Sequence, residues 1–296
     1  MPTTACNGIE IAYEEHGVPT NPVVLLIQGL GVPLSGWPPT LIEGLVAQGY
    51  RVLAFDNRDV GRSQLLHDKK VPNMLVQFLR RTVRLQVKAP YQLLDMMRDT
   101  VGLLDALDIE SAHIVGVSMG GMIAQLLAIH EPRRVKSLTL IMSTTGNPKL
   151  PGPTRAVTKH IMSRPKAPTD EARLAHYWQL WRLLGSPDYR LSDAELAEFI
   201  RAVFERGLTA AGSARQTLAI LAAPDRTDAL RHLDVPVLVV HGDSDPLIRV
   251  ECGQALAEAI PGARMTTIPG MGHDLPLALM PRFVRMIAQH VKASDS

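Results

Sequence analysis

The feature that most restricts this chain is an alternation: short, strand-sized apolar runs are separated by longer segments with helical spacing. Strands that alternate with helices in this way pair in parallel, because each helix carries the chain back along the sheet. Residues 23–27, 50–55, 112–117, 135–142, 235–241 and 263–268 read as strands. The first of them, Val-Val-Leu-Leu-Ile, is apolar throughout, as expected of a strand covered on both faces. Residues 8–15 instead alternate apolar with polar, which suits a sheet edge. Helical spacing occupies 37–48, 91–107, 119–130, 249–260 and 276–291. Gly49 ends the first of these helices, Pro132 follows the end of the third, and Pro276 suits the first turn of the last.

Between 146 and 232 the rhythm fails and no strand-like run appears. Ser192-Asp193-Ala194-Glu195 is a capping box, in which the Ser hydroxyl and the Glu carboxylate satisfy each other's free amides. Thr169 followed by Asp170 and Glu171 marks another helix start, with acids where the helix dipole favours them. Helices are expected near 170–184, 193–206 and 209–222. An insertion of this length is too long for an idle loop. The expected architecture is α/β: a mostly parallel, doubly wound sheet in a core of 1–145 and 233–296, with a helical cap at 146–232.

Of the 296 residues, 46% are hydrophobic and 20% charged, which excludes a largely disordered chain or a fibre. Thirty-one basic residues stand against 29 acidic ones, net +2, so no nucleic-acid partner is expected. No apolar run approaches the ~20 residues of a membrane helix, and stable membrane insertion is not expected. The start has neither the basic flank nor the apolar run of a signal peptide. Cys6 and Cys252 read as free thiols, and the expected location is the cytoplasm. Residues 74–87 form an amphipathic segment, with Leu75, Phe78, Leu79 and Val83 on one side and Arg80, Arg81, Arg84 and Lys88 largely elsewhere. A basic amphipathic helix can lie on a membrane surface. The commoner arrangement is a surface helix turned onto a core, and that is the expectation here.

Gly116-Val117-Ser118-Met119-Gly120 has the pattern G-x-S-x-G and sits between a strand and a helix, where a nucleophile elbow belongs. The abrupt turn leaves Ser118 in a strained backbone conformation, and side chains at 116 and 120 would collide with neighbours. The hydroxyl is then exposed at a helix N-terminus, which favours developing negative charge. A serine needs a base, and the base needs an orienting group. Among ten histidines, His273 lies in the glycine-rich loop Pro269-Gly270-Met271-Gly272-His273-Asp274, directly after the last strand and at the same sheet edge as Ser118. His241 is a rival that ends a strand and is expected to pack below the site. The loop His241-Gly242-Asp243-Ser244-Asp245-Pro246 offers two carboxylates. Pro246 holds Asp245 extended, so Asp245 is the expected orienting group and Asp243 a turn cap. An acyl-transfer site also requires amides aimed at the oxyanion. These are expected from Met119, after the nucleophile, and Leu30, in the loop Gln28-Gly29-Leu30-Gly31.

With the order Ser118, Asp245, His273 assembled, the chain resembles the α/β-hydrolase superfamily from about residue 8 to 292. Asp56-Asn57-Arg58-Asp59-Val60-Gly61-Arg62-Ser63 is similar to the family's structural D-x-R-x-x-G-x-S turn. Gly36-Trp37-Pro38 and the His273 loop are similar to capped bacterial carboxylesterases of the aclacinomycin methylesterase type. Gln28 stands where many members carry His. The resemblance implies an α/β-hydrolase fold and a serine carboxylesterase that needs no cofactor or metal, acting on small to medium hydrophobic esters, methyl esters among them. Trp178, Trp181, Met142 and Met271 are candidate pocket residues, although Trp178 and Trp181, three apart, also suit packing within the cap. The same site chemistry suits a lactonase, a C–C bond hydrolase or a cofactor-free perhydrolase. A non-catalytic ligand-binding protein on this fold is the alternative of another class. The expected partner is a small-molecule ester, and the chain is expected as a monomer or homodimer.

Overall fold

The computed structural model describes residues 2–83, 85–167 and 169–295; Arg84, one of the cations of the amphipathic segment, lies outside them. Eight strands, β1 (Thr3–Cys6), β2 (Ile9–His16), β3 (Val23–Ile27), β4 (Arg51–Phe55), β5 (Ala112–Val117), β6 (Val135–Ile141), β7 (Val237–Gly242) and β8 (Arg264–Ile268), form one sheet in the order β1-β2-β4-β3-β5-β6-β7-β8. From β4 across to β8 the pairing is parallel, while β2 is antiparallel to both β1 and β4. The alternating strand β2 is therefore not the edge, because β1 folds back over it. The turn is Asn7-Gly8, both at positive φ (49° and 78°), the pair that a two-residue hairpin requires.

The helices are α1 (Pro39–Ala47), α2 (Met74–Thr82), α3 (Leu93–Ala106), α4 (Met119–His130), α5 (Arg155–Ile161), α6 (Asp170–Leu184), α7 (Asp193–Gly207), α8 (Ala210–Ala222), α9 (Thr227–Leu230), α10 (Val250–Ala259) and α11 (Met280–Ser294). Period-two alternation along the strands divides the core into two layers. Leu25 and Ile27 of β3 join Leu103 of α3, Ile123 of α4 and Leu256 of α10 on one face. Val24 and Leu26 join Leu45 of α1 and Phe283 and Ile287 of α11 on the other. Pro276 stands before a short 3-10 turn, Leu277–Leu279, and α11 begins only after it.

Helices α5 to α8 lie between β6 and β7. The Ser192 capping box forms: Glu195 N–H donates to Ser192 Oγ (3.2 Å) and Ser192 N–H to Glu195 Oε2 (2.8 Å). Thr169 Oγ1 accepts from Ala172 N–H at the start of α6. The insertion is bound to the core by two ion pairs on the loop after β4, Arg206–Asp56 (3.0 Å) and Arg215–Asp59 (2.6 Å), both carboxylates fully buried. Removing one partner of such a pair costs about 3–5 kcal/mol, since the other charge is left without compensation in a desolvated place.

Helix α2 departs from expectation. Most of its apolar stripe faces away from the core: Leu75 is 69%, Leu79 63% and Val83 55% exposed, Phe78 is half-buried, and Gln77 is the residue it buries. Cys6 and Cys252 are both buried and unpaired with each other. Among the described residues no helix is long and apolar enough to cross a membrane.

Candidate active site

Strand β5 is buried along its whole length and delivers Ser118 directly into α4. Ser118 has φ 55° and ψ −118°, a conformation that L-residues rarely adopt and that persists only where neighbours enforce it. The neighbours are close indeed. A Cβ at Gly116 would sit 2.5 Å from Gly120 O, and one at Gly120 would sit 2.0 Å from Ile27 O. Ser118 N–H donates to Ile141 O (2.9 Å), and Ser143 Oγ donates to Ser118 O (2.9 Å), so backbone of β6 and the residues after it hold the turn.

His273 Nε2 lies 3.1 Å from Ser118 Oγ, and its Nδ1 lies 2.7 Å from Asp245 Oδ2. The other carboxylate oxygen of Asp245 accepts from Leu247 N–H (2.8 Å) and Ile248 N–H (2.9 Å), which locks its orientation. Asp243 is exposed and does something else: its Oδ1 accepts from Gly270 N–H (2.8 Å), fastening the base of the histidine loop. His241 is fully buried, with Nε2 against Ile248 O (2.7 Å) and 3.6 Å from Asp245 Oδ2, behind the carboxylate. Burial pushes its pKa down, which disfavours the charged ring.

Met119 follows Ser118 directly, and Leu30 follows Gly29. A Cβ at Gly29 would be 3.3 Å from Ser118 Cβ, so the loop after β3 lies against the elbow. Neither backbone N–H, of Leu30 or of Met119, has an acceptor within hydrogen-bond distance among the described residues. Other groups of the loop are bonded. Asn57 Nδ2 donates to Gln28 O (3.0 Å), Gly29 N–H donates to Gln28 Oε1 (3.0 Å), and Gly31 N–H donates to Gln216 Oε1 (2.7 Å). Gln28 thus braces its own loop.

Three supporting residues escape a reading of the sequence. Gln216, on α8, is fully buried and also donates through Nε2 to Arg58 O (2.7 Å). Its spacing does not distinguish it from the other polar residues of α8. Ser186, after α6, accepts from Gly272 N–H (2.8 Å) and donates to the buried Asp274 carboxylate. Burial raises the Asp274 pKa. Together with His273 N–H donating to Leu184 O (2.7 Å), these bonds fasten the histidine loop to the end of α6. Ser143 is the third.

The four candidate pocket residues divide between the inserted helices and the sheet. Trp181 meets Phe199 of α7 with ring centroids 4.6 Å apart and Tyr177 at 6.1 Å, within the inserted helices. Trp178 lies under the Arg182 guanidinium at 4.8 Å. Met142 and Met271 are buried with Val240 and Ile268 on the α1–α11 face of the sheet.

A family whose description is alpha/beta hydrolase fold matches residues 22–277. The chain is 31% identical to the rhodomycin D methylesterase DnrP of Streptomyces peucetius, over 99% of each chain. It is 30% identical, again over 99% of each, to the rhodomycin D methylesterase DauP of Streptomyces sp. strain C5. Among solved structures it is similar to the enol-lactonase from Burkholderia xenovorans LB400, with a TM-score of 0.75 and 24% identity, covering 98% of this chain and all of that one.

Proposed function

The chain belongs to the alpha/beta hydrolase fold family, and from that premise we propose that it is a serine carboxylesterase acting on small to medium hydrophobic esters, methyl esters in particular. The single observation that carries this reading is the continuous relay Ser118–His273–Asp245, closed at both hydrogen bonds. His273 Nε2 takes the Ser118 proton as Oγ attacks the ester carbonyl. Asp245 keeps the Nδ1–H tautomer and stabilises the imidazolium. The Leu30 and Met119 amides donate to the tetrahedral oxyanion, the developing charge for which each N–H is free. His273 then protonates the departing alcohol, and water, deprotonated by the same ring, releases the acid from the acyl-enzyme.

In this reading residues 146–232 form a cap over the hydroxyl, and its helices contribute the supports of both flanking loops. The preference for methyl esters is supported by the full-length likeness to two proteins named methylesterases. The test is a hydrolysis panel of methyl, short-chain and medium-chain esters on the wild-type chain and on Ser118→Ala, with fluorophosphonate labelling beside it. Expected is turnover that requires Ser118 and a label that abolishes it. Labelling of Ser118 without turnover of any ester would overturn the reading in favour of a binding protein.

A further inference from the structure

Helix α2 wears its apolar side outward. Leu75, Leu79 and Val83 recur every four residues and therefore share one face, with Val76 beside them. They are 69%, 63%, 55% and 48% exposed respectively, and Leu85 just beyond is 56% exposed. The opposite side packs on α8 and buries Gln77, whose Oε1 accepts from Lys88 N–H (2.8 Å). Asn73 caps the helix through Val76 N–H, so the element is locally well formed and its orientation is held by these contacts. Leaving five large aliphatic side chains together in water is unfavourable by on the order of 1 kcal/mol or more for each. A contiguous patch of that kind marks a surface that meets something.

Charge identifies what it meets. Between 68 and 88 the sequence carries Lys69, Lys70, Arg80, Arg81, Arg84 and Lys88 against Asp68 alone, in a chain whose net charge is only +2. Lys69 pairs with Asp68, whereas Lys70, Arg80, Arg81 and Lys88 have no carboxylate within salt-bridge distance among the described residues. A second copy of this chain would bring the same cations face to face with themselves. An anionic lipid surface satisfies both halves of the pattern, since aliphatic side chains enter the headgroup boundary while Lys and Arg meet phosphates.

We propose that α2 and the segment to Leu85 seat the protein on anionic phospholipid surfaces. The seat is independent of the hydrolytic reading, but it would bring the enzyme to the place where hydrophobic esters partition. The test uses the full chain in co-sedimentation with vesicles of phosphatidylglycerol mixed with phosphatidylcholine, and with vesicles of phosphatidylcholine alone. Expected is binding to the anionic vesicles only, weakened by salt and by about fivefold for each of Arg80→Gln and Arg81→Gln. The pair Leu75→Asp and Leu79→Asp should abolish binding while hydrolysis of a water-soluble short-chain ester stays at the wild-type rate, showing that the fold is intact. Three results would overturn the proposal. One is the absence of binding to anionic vesicles. Another is equal binding to both kinds of vesicle. The third is a dimer in light scattering that Leu79→Asp dissociates while wild-type protein ignores lipid.

Discussion

Ser118 and His273 are 3.1 Å apart, yet different parts of the molecule hold them. Ser118 is held by the sheet. Its strand is buried, its amide bonds to β6, and two glycines let α4 close against β3. The loops that carry His273 and Leu30 are held from two sides, by Asp243 and Asn57 of the core and by Leu184, Ser186 and Gln216 of the segment between β6 and β7. Ser118 and the following Met119 amide are thus placed by the core, whereas the His273 and Leu30 loops also take contacts from the segment between β6 and β7. Two buried ion pairs, Arg206–Asp56 and Arg215–Asp59, join α7 and α8 to the loop after β4. In such an arrangement, changes to the packing of the Ser118 turn should act through folding, and changes at the contacts from the inserted helices should act through turnover.

The largest expected effect sits in the relay itself. Asp245→Asn should reduce kcat by about 10⁴-fold with folding unaffected, because an amide cannot stabilise the imidazolium. Asp243→Asn should leave kcat within the same order of magnitude, since an Asn oxygen still accepts from Gly270 N–H. Steady-state kinetics on one ester ranks the two, and the opposite ranking would break the assignment.

Next comes the core side of the comparison. Gly120→Ala puts a methyl group within 2.0 Å of Ile27 O, a clash that backbone must absorb, and should cost about 3 kcal/mol of stability in urea unfolding. Retained stability with lost activity would show that the elbow is not held by the sheet as described.

On the side of the inserted helices, Gln216→Ala leaves Gly31 N–H without its acceptor in a buried place, worth about 1–3 kcal/mol. If the loop shifts by that measure, kcat should fall roughly 10- to 100-fold with KM little changed. Gln216→Glu, which keeps the acceptor for Gly31 N–H but loses the donor to Arg58 O, should recover part of it. Equal loss in both variants, tracked by a fall in Tm, would make Gln216 an ordinary packing residue.

The smallest effect concerns pH and belongs to the core alone. His290 on α11 contacts Leu138 O (3.2 Å) and Arg264 (3.1 Å), and burial followed by the Arg264 charge pushes its pKa down to about 4. Its folded value lies below the ordinary 6.5, so folding favours the neutral ring. The stability this represents is complete above pH 6.5 and is lost as pH falls from 6.5 to about 4. Tm measured across that window should fall, and His290→Gln should flatten the fall.

Much of this was legible from residues. The buried run 23–27 and the strand at 112–117 coincide with β3 and β5, and the segment 119–130 with α4, because apolar continuity and a following helical period are local signals. The capping box at Ser192 and the Thr169 start were legible for the same reason, a fixed spacing between a cap and its amide. The hairpin strand β1 was missed although Asn7-Gly8 advertised its turn, since four residues carry little pattern. Helix α2 was read correctly as amphipathic and wrongly as turned inward. Periodicity says that a helix has two faces, and only its neighbours say which one is covered.

That difference separates the two kinds of information in this protein. Spacing along the chain was enough for the alternating strands and helices, the glycines that permit Ser118 its strained turn, and the loops that carry Asp245 and His273 to one edge of the sheet. These depend on steric limits and periods that act over a few residues. The bracing of the Leu30 loop by Gln216, the clamp of Ser186 on the His273 loop and the outward face of α2 arose only on folding. Each joins residues far apart in the chain, or chooses between two faces that the sequence pattern leaves equivalent. Such choices are made by the packing of whole elements, where a buried amide must find its acceptor wherever the tertiary structure has put one.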